Sequence, residues 1–524
     1  MNAGAQGLKN GAPISPAPPS GLGATGLTRN VAATYANWAV NFLSPLVLIP
    51  LFVRLLGHEL YGQWLIILSI ASYLGLANLG SWQAIGNRIA ESVAQRRHDR
   101  VATIVSTGFF AYTAIIAALM TGVLALTPVA WRHFLPHSSA QAVIAFAVFI
   151  SLSAAAFPFN AYSIMLRGFE RVDLEQTILF GANLARVLLI GAALLAGLKL
   201  AAIALIQGAA LLAAGAASYV AAVRLTPAAR PRLSQFSRAM LGELVRPSIG
   251  FFGLTVASTL AFGIDNLVIG YWIGAAGVTR YAVPFRLAMA ACAAFSIGLS
   301  SLWPTVTAYY ARQQHDVLRA AFIAVMRVAL LFAGAAAILL WLAGPAFIRS
   351  WAGEGVFPGR VVFGLQILLM MIQVLVTPAD AVLMATTRHY LYAVVAAFEG
   401  LLNLALSVWW VRYWGLSGVI GGTVAARLMT NGWYLPMAAI DTLGVAPREC
   451  LRTIAPAAAL TVAMVAGALL ITRDGATLAG ARGAAIAAVF AVAFLAAFAV
   501  VGFTSEERKM VRAWLAAHRT QPTA

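Results

Sequence analysis

The chain has 524 residues, 61% of them hydrophobic and only 10% charged, with a mean hydropathy of +0.85; an ordinary soluble domain is about 45–50% apolar and about 25% charged, so a soluble fold is excluded. Lys and Arg outnumber Asp and Glu by 35 to 17, a net charge of +18, and the basic residues other than Lys9, Lys199 and Lys509 are arginines. They sit in short segments between apolar runs, which points to membrane topology and anionic headgroups and away from nucleic acid.

Residues 1–26 are rich in Gly, Ala, Pro and Ser and lack an apolar stretch followed by a cleavage site; they read as a disordered cytoplasmic tail. Apolar runs follow at 31–53, 61–87, 101–127, 141–165, 176–197, 200–223, 247–274, 281–308, 320–344, 361–385, 391–411, 414–437, 454–472 and 483–503. At about 20 residues per crossing these are fourteen predicted spans. With the N-terminus inside, 21 of the 35 basic residues fall on the cytoplasmic side and nine outside, so the positive-inside rule places both termini in the cytoplasm. Trp131, Trp272, Trp341, Trp351 and Trp414 fall at span ends, as an interfacial aromatic belt requires. The two cysteines, Cys292 and Cys450, form no metal or redox motif.

An internal repeat has an offset near 220 residues. Gly57-His-Glu-Leu-Tyr61-Gly62 matches Gly277-Val-Thr-Arg-Tyr281-Ala282; Ser81-Trp82 precedes Ala94-Gln-Arg-Arg-His98-Asp99 as Ser301-Leu302-Trp303 precedes Ala311-Arg-Gln-Gln-His315-Asp316. Pro158-Phe-Asn160 aligns with Pro378-Ala-Asp380, and Gly197-Leu198 with Gly415-Leu416. Their common order argues for duplication. Six spans per copy return the chain to its starting side, so the copies are parallel and related by an axis along the membrane normal. The expected organisation is an N-lobe at 27–223, a basic cytoplasmic linker at 224–246, a C-lobe at 247–437, two extra helices at 438–503 and a cytoplasmic tail at 504–524. The fold class is all-α and polytopic, with two six-helix lobes related by pseudo-two-fold symmetry.

Arg29-Asn30, the run Pro50-Leu-Phe-Val-Arg54-Leu-Leu-Gly57 followed by Tyr61-Gly62-Gln-Trp64, and Leu76-Ala-Asn-Leu-Gly80 through Asn87-Arg88 resemble the polysaccharide transporter flippases. Arg388-His-Tyr-Leu-Tyr392, Asn403 and Trp414-Gly-Leu-Ser-Gly-Val-Ile-Gly-Gly422 extend the resemblance, which covers residues 28 to about 437. These flippases belong to the multidrug/oligosaccharidyl-lipid/polysaccharide exporter superfamily, with O-antigen and lipid II flippases and multidrug and toxin extrusion pumps. The resemblance implies two six-helix lobes around a cavity that opens alternately to each side of a bacterial inner membrane. It also implies a substrate of oligosaccharide on an undecaprenyl diphosphate carrier, with a polysaccharide polymerase and a chain-length regulator as partners.

A charge at mid-membrane costs about 2.5–3.5 kcal/mol even on insertion scales, so each one is a functional candidate. The spans hold Arg88, Arg186, Arg286, Arg327 and Arg427 against Asp265, Asp380 and Glu399. Asp265 and Arg286 lie at similar depth: either Arg286 contacts a diphosphate or acidic sugar with Asp265 holding it, or the two form a structural salt bridge. Asp380, Glu399 and Arg427 form an expected cluster, read as a coupling site or as a charge network gluing the second lobe. The first lobe offers Asn37, Asn41, Asn160, Asn183 and Arg186, a wall suited to an anionic, hydroxyl-rich ligand, with interhelical hydrogen bonding the alternative for each Asn. Arg88 and Arg327 are expected to snorkel, and Pro158 and Pro378 to bend their helices.

No Walker A string, metal-ligand spacing or nucleophile elbow is present, and no cofactor is called for. Three functions remain in order of preference: a flippase for lipid-linked oligosaccharide, a multidrug extrusion pump of the same fold, and a membrane glycan polymerase or ligase. The pumps want acids facing the cavity, whereas the helices of the first lobe hold none, and the enzymes usually carry a large outer loop, whereas the longest outer segment here, about 345–360, is small.

Overall fold

A computed structural model describes residues 24–78, 81–95, 97–134, 139–245, 263–300, 306, 309–310, 312–385, 389–471 and 480–501. Most of the N-terminal tail, Arg246, the first part of the seventh predicted span, residues 301–303, Arg388 and the tail at 504–524 lie outside these residues.

The described chain is all-helical. Its elements are α1 Ala24–Ser72, α2 Ser81–Ala94, α3 His98–Phe134, α4 Ala140–Ala156, α5 Asn160–Gly168, α6 Val172–Leu195, α7 Leu200–Leu225 and α8 Arg238–Val245. There follow α9 over 263–272, then α10 Ala275–Ser300, α11 His315–Ala352, α12 Arg360–Ala385, α13 His389–Trp414, α14 Leu416–Met429, α15 Asn431–Leu443, α16 Pro447–Ile471 and α17 Gly480–Val501. Among the described residues ten helical segments are long and apolar enough to cross a membrane. Leu195, Phe398 and Val462 are each more than half exposed, an apolar girdle that water does not tolerate and hydrocarbon does.

Four predicted spans change shape. The first two are joined without a loop: α1 turns at Gly57 (φ 82°, ψ 170°), a left-handed conformation open to glycine and strained for other residues. The second span stops at Ser72, passes through a 3-10 turn at Tyr73–Asn78 and restarts as α2, because Gly75 and Asn78 favour turns over helix. The fourth breaks at Phe157–Phe159, where Pro158 takes the second position of a 3-10 turn. The twelfth divides into α14 and α15 at Thr430 (φ −127°, ψ −104°).

Packing is mostly local in sequence. In the first half α1 lies on α6, α4 on α7, and α2 on α3 and α5; in the second, α13 lies on α14, and α12 on α10, α11, α14 and α15. Helices α16 and α17 dock on α11, burying Leu330, Ile338 and Leu342 against Ala457, Phe494 and Phe498. The halves meet where α1 packs on α10 and α11. At that end the matched sequences of the repeat lie against each other: Thr279 Oγ1 donates to the carbonyl of His58 at 2.6 Å, and Gly62 abuts the Ala275 backbone so closely that a Cβ has no room.

The basic linker is folded onto α3. Ser106 Oγ donates to Gln235 Oε1 at 3.1 Å and accepts from the Arg232 amide at 3.3 Å, and the Ser237 amide donates to Thr107 Oγ1 at 3.2 Å. Glu243 of α8 pairs with Arg100 at 3.1 Å and Arg88 at 3.8 Å, so Arg88, expected to snorkel, is held by carboxylates including Glu91 at 3.1 Å.

Candidate functional site

Two cavities share the wall residue Leu68. The first, about 390 Å³, is lined by Leu74 and Gly75 from one helix break and by Ala156, Phe157 and Asn160 at the other, with Ser72 and Ser153. Irregular backbone at membrane depth is tolerated only where protein buries it or it lines a cavity, and these two breaks line the same one. Ser153 Oγ is buried and without a hydrogen-bond partner among the described residues, a hydroxyl left for whatever enters. Among the described residues no charged side chain lines this cavity.

The second cavity, about 210 Å³, brings together Arg186 of α6 and Arg286 of α10, with Asn41, Ser44, Gln207 and the rings of Phe52, Tyr61 and Trp64, and among the described residues no acidic side chain lines it. Arg186 Nη1 donates to Gln207 Oε1 at 3.4 Å, while its Nε is buried without a hydrogen-bond partner among the described residues. Arg286 is exposed to the cavity. Two guanidinium groups from different halves of the chain thus line one cavity, and a guanidinium with free donors is a group suited to phosphate.

Not every expected site residue converges here. Asn37 bridges α1 and α6, donating to Gln176 Oε1 at 2.9 Å and accepting from Asn183 at 3.0 Å; both amides hold helices together, and Asn41, at 3.2 Å from Asn37 Oδ1, reaches the arginine cavity. Asn160 lies in the neighbouring cavity. Sequence reading passed over Gln207, Ser44 and Trp64; Gln207 carried a signal as a lone amide within an apolar run.

Asp265 and Arg286 do not pair. Asp265 of α9 turns into the second half, where its carboxylate accepts from Tyr281 at 2.6 Å, Thr423 at 3.0 Å and Asn403 at 3.4 Å. Ser407 donates to Asn403 Oδ1 at 2.9 Å and to the Val419 carbonyl at 3.2 Å, and Thr423 also reaches that carbonyl at 3.1 Å. A fully buried carboxylate thus sits among neutral oxygen-bearing groups, a donor set that suits a hard cation or a proton. Among the described residues no group of three or more His, Cys, Asp or Glu converges as a transition-metal site would require.

The expected cluster forms in part. Arg427 Nη1 donates to Glu399 Oε1 at 2.7 Å, and Arg427 also bonds Gln373. The second Glu399 oxygen accepts from Thr430 at 2.8 Å and Asn431 at 2.7 Å. Thr430 and Asn431 stand at the break between α14 and α15, so Glu399 ties the side chains at that interruption to α13. Asp380 stays off this pair and neighbours Tyr392. Arg327 is buried, 4% exposed, and does not snorkel.

Comparison with known proteins matches residues 27–310 to a family described as polysaccharide biosynthesis protein. No curated protein sequence matches the chain. Among solved structures, the lipid II flippase MurJ in an inward closed conformation is 13% identical with a TM-score of 0.68, over 90% of this chain and 98% of its own. An inward-facing multidrug resistance transporter of the MATE family is 14% identical with a TM-score of 0.64, over 79% and 99%, and an outward-facing one, also 14% identical, scores 0.56 over 80% and 95%. At these identities the likeness is one of fold: this chain is similar to transporters and flippases of the MOP superfamily.

Proposed function

Since the chain belongs to the polysaccharide biosynthesis protein family, whose model spans residues 27–310, we propose that it is a flippase carrying an undecaprenyl-diphosphate-linked oligosaccharide from the inner to the outer leaflet of a bacterial inner membrane. The observation that carries this reading is the cavity holding Arg186 and Arg286 without an acid. A diphosphate takes the two guanidinium groups, and sugar hydroxyls take Ser72, Ser153 and Asn160 in the adjoining neutral cavity. The polyprenyl tail stays in lipid. The arginine distribution supports cytoplasmic termini, a topology in which the Gly57 end faces outward. Rocking of two six-helix lobes, 27–223 and 247–437, exposes the site to each side in turn, and the glycan is handed to polymer-forming partners outside.

A deletion strain tests this directly. Its lipid extract is expected to accumulate an undecaprenyl diphosphate oligosaccharide, which also identifies the glycan; normal lipid-linked pools together with drug hypersensitivity would reverse the choice in favour of drug extrusion.

The buried carboxylate of Asp265 supports coupling to a cation or proton. Asn keeps most of the hydrogen bonds and lacks the charge, so Asp265→Asn is expected to leave the protein folded and its transport in proteoliposomes indifferent to imposed sodium and proton gradients. A variant that still follows either gradient like the natural protein removes Asp265 from coupling.

A further inference from the structure

Arg54 and Glu59 flank the turn at Gly57, and each crosses to the other half of the chain to meet a helix end of opposite sign. Arg54 donates to the carbonyls of Ser350 at 2.8 Å and Trp351 at 3.2 Å, in the last turn of α11. Carbonyls there lack helical partners and carry the negative end of the helix dipole. Glu59 Oε2 accepts from the amide of Ala276 at 3.1 Å, in the first turn of α10, where amides are unpaired and the dipole is positive. Both side chains are exposed, and they are not ion-paired with each other among the described residues.

We propose that Arg54 and Glu59 form a charge–dipole clamp that holds the halves together at the Gly57 end and sets how often that end opens. One short turn presents a cation to a helix C-terminus and an anion to a helix N-terminus, so exchanging the two charges is wrong at both ends. Around the clamp the closure is made by the Thr279 contact to His58, the seating of Gly62 on Ala275 and a Trp351 indole bond to the Leu46 carbonyl at 2.8 Å. Separating the halves at this end breaks all of these. The two charged contacts differ from the rest in being exposed, and salt screens the attraction between an exposed charge and a helix dipole, over a length that shrinks from about 10 Å at 0.1 M to about 3 Å at 1 M. The clamp is therefore adjustable by the ionic strength of the outer medium. Calling this end the outer one rests on the topology proposed above.

The test reads opening with cysteine reporters in the full-length protein. Both native cysteines are buried, so Ser44→Cys in the arginine cavity and Ser72→Cys in the neighbouring cavity are introduced separately, with the chain lacking either as background. An impermeant maleimide is applied to right-side-out and inside-out vesicles. Arg54→Gln with Glu59→Gln is expected to raise external labelling of Ser44→Cys several-fold. The exchange Arg54→Glu with Glu59→Arg is expected to raise it about tenfold, while labelling of Ser72→Cys from the cytoplasmic side falls. Raising the outer salt to 1 M is expected to speed labelling in the natural background and not in the neutral double variant. If the exchanged variant labels like the natural chain, or if both reporters become faster together as in general loosening, the clamp is overturned. Labelling of Ser44→Cys from the cytoplasmic side alone would overturn the proposed topology, and the effect of the exchange at that face would still judge the clamp.

Discussion

Replacing both cavity arginines, Arg186→Ala with Arg286→Ala, is expected to lower affinity for undecaprenyl diphosphate by roughly a hundred- to ten-thousand-fold and to stop polymer export, with the protein still present and folded. Hydrogen bonds to charged groups are worth about 1.5–3 kcal/mol each, and the two guanidinium groups together supply the cationic side chains that line the cavity. Folding is expected to survive because neither arginine is tied strongly into the protein: Arg186 makes a long 3.4 Å bond to Gln207, its Nε is left over, and Arg286 opens onto the cavity. Lysine at both positions keeps the charge and loses the fork, so binding between the natural and alanine proteins is expected. Titration of detergent-purified protein with undecaprenyl diphosphate reads the affinity, and a surface-polymer blot reads export. Unchanged binding in the alanine double variant would remove the diphosphate from this cavity.

The second large effect is on stability. Arg427→Ala leaves Glu399, a buried carboxylate, with Thr430 and Asn431 as partners and strands Gln373. Breaking a buried ion pair from one side costs about 3–5 kcal/mol, so the melting temperature in detergent is expected to fall by about 10 °C. Replacing both ends, Arg427→Met with Glu399→Leu, removes the stranded charge and is expected to recover about half of the loss, the remainder reflecting the unpaired groups at the helix break. The double variant also separates the two meanings of the pair. Normal transport in it marks the pair as structural, whereas transport lost in a protein that has regained stability assigns the pair to coupling.

Sequence alone located the helices and the arginines better than their relationships. Apolar runs located several helices closely because hydrocarbon demands a continuous apolar stretch, as at 200–223 against Leu200–Leu225, while others run seven or eight residues further, as His315–Ala352 does beyond 320–344. The break at Pro158 was legible from the missing amide, but the interruption at Tyr73–Asn78 was not, since nothing in Leu74-Gly75-Leu76 says that a cavity stands beside it. Arg186 was visible as a charge with no acid in its own lobe, and Arg286 as a charge whose expected partner was Asp265. That they face one cavity depends on how two distant halves pack. Depth estimates placed Asp265 beside Arg286 and failed, because position along a helix fixes depth and leaves rotation free: Asp265 turns toward Tyr281, Asn403 and Thr423. The repeat showed its value in an unexpected place. Tyr61 and Tyr281, matched by sequence, stack on Phe52 at 5.0 Å and Phe285 at 5.6 Å, yet one lines the arginine cavity and the other serves the buried carboxylate.

The two helix breaks bordering the larger cavity have a consequence for how cargo preference evolves. Leu74, Gly75, Ala156 and Phe157 stand at these interruptions and line the wall, and any peptide group freed from the helical ladder there keeps the same hydrogen-bonding capacity whatever side chain the gene encodes. On the proposed function, the side chains around the cavity can be exchanged, adjusting fit and preference, while any such freed peptide group goes on offering the same polar contact to a sugar. An alanine scan of the cavity will understate how much of the recognition is inherited through the backbone.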